Sequence, residues 1–322
     1  MDSEQGASAE TATEYKPKSI ILFSDGTGNS SAKLFKTNVW RMYEAVDLGP
    51  PQEGKRKQIA FYDNGVGTSA LKPLAALGSV FGIGLRRNIL DIYRYACRNY
   101  AEGDCIYGFG FSRGAFTMRL AIGLITDQGL VPSTDEAELQ WKSEEAWRAY
   151  RKRYVPRQWG GLTKLGRAIG AGWRRLSGGT PGAYDPSENR HPIIEFVGVW
   201  DTVGAYGGPI TEITRAIDNW IVRLTMFDYK LNPKVRRARH ALSIDDERDA
   251  FRPIPWDEIA ESEMVAAADK IAQPWMNKGR LEQVWFTGMH ADVGGGYPDE
   301  SLSFVSFLWM MEEAKKAGLR PV

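Results

Sequence analysis

The sequence predicts an α/β fold with a doubly wound, mostly parallel sheet and helices on both of its faces. Short apolar runs without alternation are typical of strands buried on both sides, and several such runs here end in a glycine-rich turn. Stretches with helical spacing lie between them, which is the strand–helix–strand order of a parallel sheet. The predicted strands are 19–24, 58–62, 104–110, 192–200 and 281–287.

The predicted helices follow from apolar residues that recur every third or fourth position. In the helix at 85–100, for example, Ile89, Ile92, Tyr93 and Ala96 share one face. The region 211–250 is also predicted to be mainly helical. The remaining predicted helices are 37–46, 115–125, about 144–154 and about 301–317.

Composition and charge limit the class of protein. The chain has 322 residues, 43% of them hydrophobic, and a net charge of +1, so a large core is expected and binding to a polyanion is not. Cys97 and Cys105 lack the spacing of a metal site or a disulfide framework. We expect no metal or cofactor, a flexible tail at 1–17, and a single domain at 18–322 with an insertion at about 140–190.

No targeting segment is recognisable. Residues 1–15 are polar and acidic and lack the apolar centre of a signal peptide. The run 73–85 is too short and too rich in glycine to span a bilayer, and it is either a mobile flap or a buried connection. We expect a cytoplasmic product that is exported, if at all, by a system that reads no N-terminal signal.

The stretch Gly110-Phe-Ser-Arg-Gly114 matches the G-x-S-x-G pattern and lies between a predicted strand and a predicted helix. In this motif a serine nucleophile occupies a sharp turn, and the small flanking residues let the two backbones cross. The N–H of Arg113, at a helix N-terminus, would then stabilise an oxyanion. The alternative for Ser112 is an ordinary tight turn.

A serine nucleophile requires a base, which is most often histidine. The chain offers three histidines. His191 precedes a strand and is expected at the opposite edge of the sheet, exposed. His240 lies in a segment predicted to be helical, with a structural role. His290 directly follows the last strand, at the edge where catalytic groups of α/β sheets collect.

The acid should follow a strand that lies between the serine and the histidine in sequence. Asp201 does so, whereas Asp185, Asp245 and Asp246 have no predicted strand before them. The order Ser112, Asp201, His290 is that of the α/β-hydrolase triad. In this prediction the imidazole moves the serine proton and Asp201 orients the imidazole.

The loop after the first strand, Asp25-Gly-Thr-Gly28, is the candidate for a second oxyanion donor. Either Gly26 or Thr27 would supply a backbone N–H. Asp25 either holds the loop through hydrogen bonds or contacts substrate or water. The loop is not a phosphate-binding loop, because no Gly-Lys-Ser/Thr follows it.

Six ordered motifs resemble the catalytic domain of type VI secretion phospholipase effectors of the first lipase family. The resemblance covers residues 18–320 and implies an α/β-hydrolase-like lipase of phospholipase A type. It would cleave acyl esters of glycerophospholipids through the three matched triad residues, and it would have a secretion or immunity partner. The motifs are Leu22-Phe-Ser-Asp-Gly-Thr-Gly-Asn29, Tyr62-Asp-Asn-Gly-Val-Gly-Thr68, Gly110-Phe-Ser-Arg-Gly-Ala115, Val199-Trp-Asp-Thr-Val203, His240-Ala-Leu-Ser-Ile-Asp245 and His290-Ala-Asp-Val-Gly-Gly-Gly-Tyr297.

The sequence departs from this family in two respects. The first loop has Gly28 before Asn29, where many relatives have an aromatic residue, and the effectors are usually longer than this chain. Two other functions stay open: an esterase for small soluble esters, and a hydrolase-like module that binds a partner without catalysis.

The segment 142–177 combines many Lys and Arg residues with Trp and Tyr. This composition suits peripheral contact with an anionic membrane or a lid over the site. It also suits a solvated helix packed through its aromatic residues. Single-stranded nucleic acid has the same preference, but we do not expect a nucleic-acid partner.

Overall fold

A computed structural model describes residues 15–26, 34–51, 53–65, 77–154, 184–204, 229–248 and 251–322. The described residues form a six-stranded sheet in the order β2-β1-β3-β4-β5-β6, and every neighbouring pair is parallel. The predicted α/β class with a parallel sheet is confirmed. The strands are β1 Lys18–Ser24, β2 Lys57–Asp63, β3 Cys105–Phe111, β4 Ile194–Trp200, β5 Ala238–Ser243 and β6 Leu281–Phe286.

Helices cover both faces of the sheet. Ile20 and Leu22 of β1 point into a core shared with α2, α3 and α4. Ile21 and Phe23 point into a second core with α1, α6 and α7. The helices are α1 Asn38–Ala45, α2 Leu77–Asn99, α3 Arg113–Gln128, α4 Glu136–Tyr154, α5 Glu258–Ala267, α6 His290–Gly294 and α7 Ser301–Lys316.

The order in which successive strands are added to the sheet reverses at β1, because β2 pairs with one side of β1 and β3 pairs with the other side. Ligands of open α/β sheets bind beyond the carboxyl ends of the strands at such a switch point. The turns after β1 and β3 flank this position. The predicted serine therefore lies where this topology favours a binding site.

The helical prediction for 211–250 is wrong at β5. This central strand was hidden because three of its six residues are polar, and polar residues are unusual in a buried parallel strand. Arg239 is buried and donates from Nε to Glu313 at 2.6 Å. His240 and Ser243 are buried and hydrogen-bonded as well. Pairing makes their burial tolerable.

The basic insertion is described only as far as α4, which begins at Glu136, earlier than predicted. Trp147 and Tyr150 of α4 are buried in the core against α2 and α3. These two aromatic side chains therefore pack inside the fold and do not face a membrane. The rest of the insertion, 155–183, lies outside the described residues.

Both cysteines are free thiols, and Cys97 is buried whereas Cys105 is partly exposed.

Of the helices in the described ranges, none is long and apolar enough to cross a membrane. The first part of the run 73–85 lies outside those ranges, and its last residue, Leu85, is in the core. The division into a tail and one domain stays a prediction.

Helix α3 crosses the end of β1 at very close range. A Cβ placed on Gly114 would lie 2.2 Å from the carbonyl oxygen of Ser24, and one on Gly110 would lie 2.7 Å from Cα of Ala115. No side chain fits at either position without moving backbone. The two outer glycines of the motif are therefore required by packing.

We expect Gly114→Ala to lower the free energy of unfolding by about 1–3 kcal/mol, the usual cost of forcing an extra methyl group into a packed core. The measurement is urea denaturation of both proteins. Gly279→Ala is the matched control, because its Cβ would be 3.5 Å from the nearest atom, an ordinary contact. Equal stability of the two variants would contradict the close crossing.

Candidate active site

Ser112 occupies the turn between β3 and α3 with φ 58° and ψ −127°. Its N–H donates to the carbonyl of Trp200 at 3.0 Å. Such a backbone conformation is strained for a residue other than glycine and is tolerated where the surrounding structure enforces it. Here the close crossing of α3 over β1 enforces it, and the hydroxyl is held at the sheet edge.

The imidazole of His290 lies between the serine and an aspartate. Its Nε2 is 2.7 Å from Ser112 Oγ, and its Nδ1 is 2.5 Å from Asp201 Oδ2. All three residues are buried. Because Nδ1 faces a carboxylate, it carries the ring proton, and Nε2 is left to accept a proton from the hydroxyl.

Asp201 follows β4 and has φ 37°. Within the described ranges, Ser112 and Asp201 are the only non-glycine residues with positive φ. Strained residues of this kind cluster at functional sites. The Asp201 carboxylate also accepts hydrogen bonds from Ser243, from its N–H at 3.0 Å and from its Oγ at 2.8 Å. These donors hold the buried carboxylate in place.

His240 has the structural role that was predicted for it, although it lies in a strand. Its Nε2 accepts the N–H of Thr202 at 3.1 Å, which leaves the ring proton on Nδ1, 3.2 Å from Gln283 Oε1. Burial lowers the pKa of His240 to about 3. The neutral ring thus anchors the backbone immediately after Asp201.

The carboxylate of Asp25 is hydrogen-bonded to residues of its own loop and of two neighbouring segments. Its Oδ2 accepts from Thr37 Oγ1 at 2.6 Å and from Tyr62 OH at 2.5 Å, and its Oδ1 accepts the N–H of Gly26 at 2.6 Å. That N–H therefore points to Asp25. Thr27 lies outside the described residues, so an oxyanion donor from this loop stays a prediction.

Arg113 is the first residue of α3 and directly follows Ser112, so its N–H lies at the positive end of the helix dipole. Burial lowers the pKa of its guanidinium to about 10. His191 is the third histidine of the chain. It is exposed beside Lys234 before β4, at the opposite edge of the sheet, as expected from its position in the sequence. Its lowered pKa comes mainly from partial burial.

Sequence reasoning missed the segment after β5, because β5 itself was missed. Asp245 accepts the N–H of Gly288, and Asp246 accepts the N–H of His290. The ring centroid of Phe251 is 4.7 Å from that of His290. The motif ending in Ser-Ile-Asp245 was the available signal, since it marks the end of a strand. Across the described ranges, no group of three or more His, Cys, Asp or Glu residues could hold a metal ion.

A parallel sheet with a serine on a strained turn after one strand, and a hydrogen-bonded histidine after the last, defines an α/β-hydrolase-like protein. The chain belongs to the family of type VI secretion system phospholipase effectors, Tle1-like, catalytic domain, whose model matches residues 18–313. The predicted family is thus confirmed.

Similar proteins are distant in sequence. An uncharacterized protein of Saccharomyces cerevisiae, YEL023C, is 26% identical over 251 residues, which are 74% of this chain and 32% of the yeast protein. A structure of the Tle1 effector bound to the VgrG spike of the type 6 secretion system has a TM-score of 0.41 and 17% identity, over 87% of this chain and 51% of that one.

A thermophilic esterase from Thermogutta terrifontis has a TM-score of 0.41 and 14% identity, over 95% of this chain and 86% of the esterase. The chain therefore spans about a third of the yeast protein and about half of the Tle1 chain.

We expect His240→Gln to flatten the dependence of stability on pH. The pKa of His240 is about 3 in the folded protein and about 6.5 when exposed. Its stabilising contribution is therefore complete above about pH 6.5 and is lost as the pH falls toward about 3. Between about pH 6 and about pH 4, the wild type should lose on the order of 1 kcal/mol per pH unit more than the variant. Urea denaturation at each pH measures this difference, and parallel losses would contradict it.

Proposed function

We propose that this chain is a serine ester hydrolase of phospholipase A type, which cleaves acyl esters of glycerophospholipids through Ser112, His290 and Asp201. The observation that supports the catalytic proposal is the buried hydrogen-bond chain from Oγ through both ring nitrogens to the carboxylate. Ser112 and Asp201, the residues at the two ends of that hydrogen-bond chain, both have a strained backbone with positive φ. Strain and alignment at the same residues favour a catalytic role over an ordinary turn.

The reaction follows from the proton positions. His290 Nε2 takes the hydroxyl proton as Ser112 Oγ bonds to the ester carbonyl carbon, and the carbonyl electron pair moves onto its oxygen. When this tetrahedral intermediate collapses, the ester C–O bond breaks and Nε2 returns the proton to the departing alcohol. Water then attacks the acyl-enzyme with the same base, releasing the fatty acid and restoring the serine. Asp201 stabilises the imidazolium in both steps.

The negative oxygen of the intermediate needs donors that are in place beforehand. The N–H of Arg113, at the start of α3, is the first proposed donor. The second is proposed to come from the loop after β1, at Gly26 or Thr27. For Gly26 this requires its N–H to turn away from Asp25, to which it donates at 2.6 Å.

A group of exposed apolar side chains supports a lipid substrate. We call Leu34, Phe35, Leu302, Phe304 and Val305 the apolar rim. All five are exposed, Leu34 by 83% and Val305 by 57%. Isolated exposed apolar residues are common, but a contiguous group beside a site indicates a binding surface.

The apolar rim lies at the same edge of the sheet as Ser112. Leu34 and Phe35 lie between β1 and α1, and α7 begins shortly after α6, which carries His290. The far end of α7 lies at the opposite edge, where the carbonyl of Ala317 accepts from Tyr107 OH. The guanidinium of Arg41 lies 4.4 Å from the ring centroid of Phe304, so α1, which follows Leu34 and Phe35 in sequence, contacts the start of α7. A bilayer is the surface into which such side chains would insert next to an ester bond.

We further propose that the chain is exported through the type VI secretion system and meets a spike protein of that system and an immunity protein. The family description supports the export route. One solved relative, the Tle1 effector, is bound to a VgrG spike. Binding of this chain to a purified spike protein is the direct measurement.

The catalytic proposal is tested by fluorophosphonate labelling and by fatty-acid release from phospholipid vesicles. We expect Ser112→Ala to abolish labelling, and Ser112→Ala and His290→Ala each to lower kcat by about 10⁴-fold or more. His191→Ala is the matched control, because this histidine is exposed at the opposite edge. Labelling without vesicle hydrolysis would shift the substrate to small soluble esters. A folded wild type that is not labelled would favour the binding module.

The lipid proposal is tested on the rim. Leu302→Ser with Val305→Ser should lower vesicle hydrolysis about tenfold, since loss of about 1.4 kcal/mol of apolar burial changes binding by that factor. Hydrolysis of a monomeric short-chain ester should stay unchanged, because neither residue contacts the triad. Ile271→Ser is the control, since Ile271 is 95% exposed and lies before β6, at the other edge. An equal loss on both substrates would argue against membrane contact.

A further inference from the structure

We propose that the segment after β5 is a clamp that positions the imidazole of His290. The clamp consists of Asp245, Asp246, Arg248 and Phe251. The proposal rests on the catalytic role proposed above for His290. Among the described residues, the hydrogen bonds of this group run to the backbone of Gly288 and His290 and within the group, so its members act through the histidine as positioning residues.

The histidine turn requires such a clamp because its backbone is permissive. Gly288, Gly295 and Gly296 have φ values of 105°, 83° and 112°, and they lie on both sides of the five-residue helix α6. Glycines in this region give a chain many alternative conformations. A displacement of about 1 Å in a catalytic group can cost about 10²-fold in rate. Contacts from outside the turn are therefore needed to fix the position of the His290 imidazole.

The first contact of the clamp is with backbone. Asp245 donates its N–H to the carbonyl of Gly288 at 3.2 Å and accepts the N–H of Gly288 at 2.7 Å. Asp246 Oδ2 accepts the N–H of His290 itself at 3.1 Å. The residue that carries the imidazole is thus tied to β5, the strand that also supplies Ser243 to Asp201.

The second contact holds Asp246 in place. Arg248 binds its carboxylate with two hydrogen bonds, from Nε at 2.9 Å and from Nη2 at 2.6 Å. The hydrogen bond from Arg248 lowers the pKa of Asp246 to about 2, so the carboxylate is ionised at neutral pH. A bidentate pair of this kind restricts rotation more than a single hydrogen bond does.

The third contact is with the ring. The Arg248 guanidinium lies 3.9 Å from the ring centroid of Phe251, and the Phe251 ring lies 4.7 Å from the imidazole. Phe111 of β3 contacts the same imidazole at 4.6 Å. The hydrogen bonds at Nδ1 and Nε2 orient the ring within its plane, and the two phenyl rings limit its tilt.

The experiment compares Asp246→Ala, Asp246→Asn and Arg248→Ala with the wild type. Asp246→Ala should lower kcat about 10- to 100-fold with KM changed by less than about twofold, because positioning affects the chemical step. Asp246→Asn keeps an acceptor for the N–H of His290 and should recover most of the loss. Arg248→Ala should cost about 3- to 10-fold.

Arg98→Ala is the matched control. Arg98 also makes a bidentate pair, with Glu136, and is 44% exposed where Arg248 is 45% exposed. It lies on α2, away from the site, and its loss should leave kcat unchanged. Urea denaturation of all variants separates misfolding from mispositioning. Activity in Arg248→Ala and Asp246→Ala equal to that in Arg98→Ala, with all of them folded, would overturn the clamp.

A proton NMR measurement makes the test independent of turnover. The Nδ1 proton between His290 and Asp201 should give a far-downfield signal in the wild type and in Asp246→Asn. It should broaden or vanish in Asp246→Ala. If the wild type neither labels nor hydrolyses esters, the proposed function fails, while this signal still decides the clamp. A sharp signal retained in Asp246→Ala would contradict it.

Discussion

The whole site depends on the short distance at which α3 passes the end of β1. Since not even a Cβ fits at Gly114, the chain must reverse within one residue, and that residue is the serine. Its strained backbone directs the hydroxyl to the carboxyl edge of the sheet, where Asp201 follows the neighbouring strand β4 and His290 follows the edge strand β6. The unfavourable conformation of Ser112 is sustained by the core behind it, as is usual for strain at a functional site. Helices pack against the sheet on both of its faces.

The sequence was sufficient for residues whose position is dictated by strand ends. Ser112 and Asp201 each follow an apolar run, His290 follows the last predicted strand, and the carboxyl ends of parallel strands meet at one edge. It was insufficient for β5, because Arg239 and His240 are polar and become acceptable in a core only through Glu313 and Gln283. Those partners lie far along the chain. The clamp was missed for the same reason, since it begins where that unrecognised strand ends.

Composition left two roles open for the aromatic residues of α4, packing inside the fold and contact with a membrane. Trp147 and Tyr150 stand among basic residues in the sequence. Helical spacing places the aromatic and the basic side chains on different faces of α4, and the face with the two aromatic residues packs into the core. On α7 the pattern is reversed. Ser303 and Ser306 are buried, whereas Leu302, Phe304 and Val305 are exposed. On α7 the small serine side chains face α1 and α6, because these helices pack too close to α7 for larger side chains.

That reversed helix is joined by hydrogen bonds to the turn that carries His290. Ser306 Oγ donates to the carbonyl of Val293 in α6 at 2.5 Å, and Asn38 Nδ2 donates both to that carbonyl, at 2.9 Å, and to the carbonyl of Ser303, at 2.8 Å. The exposed leucine, phenylalanine and valine side chains are thus mounted on the same hydrogen-bonded block as His290. These contacts tie the backbone of α7 to that of α6, so a displacement of the exposed apolar side chains would also displace the short helix that begins with His290.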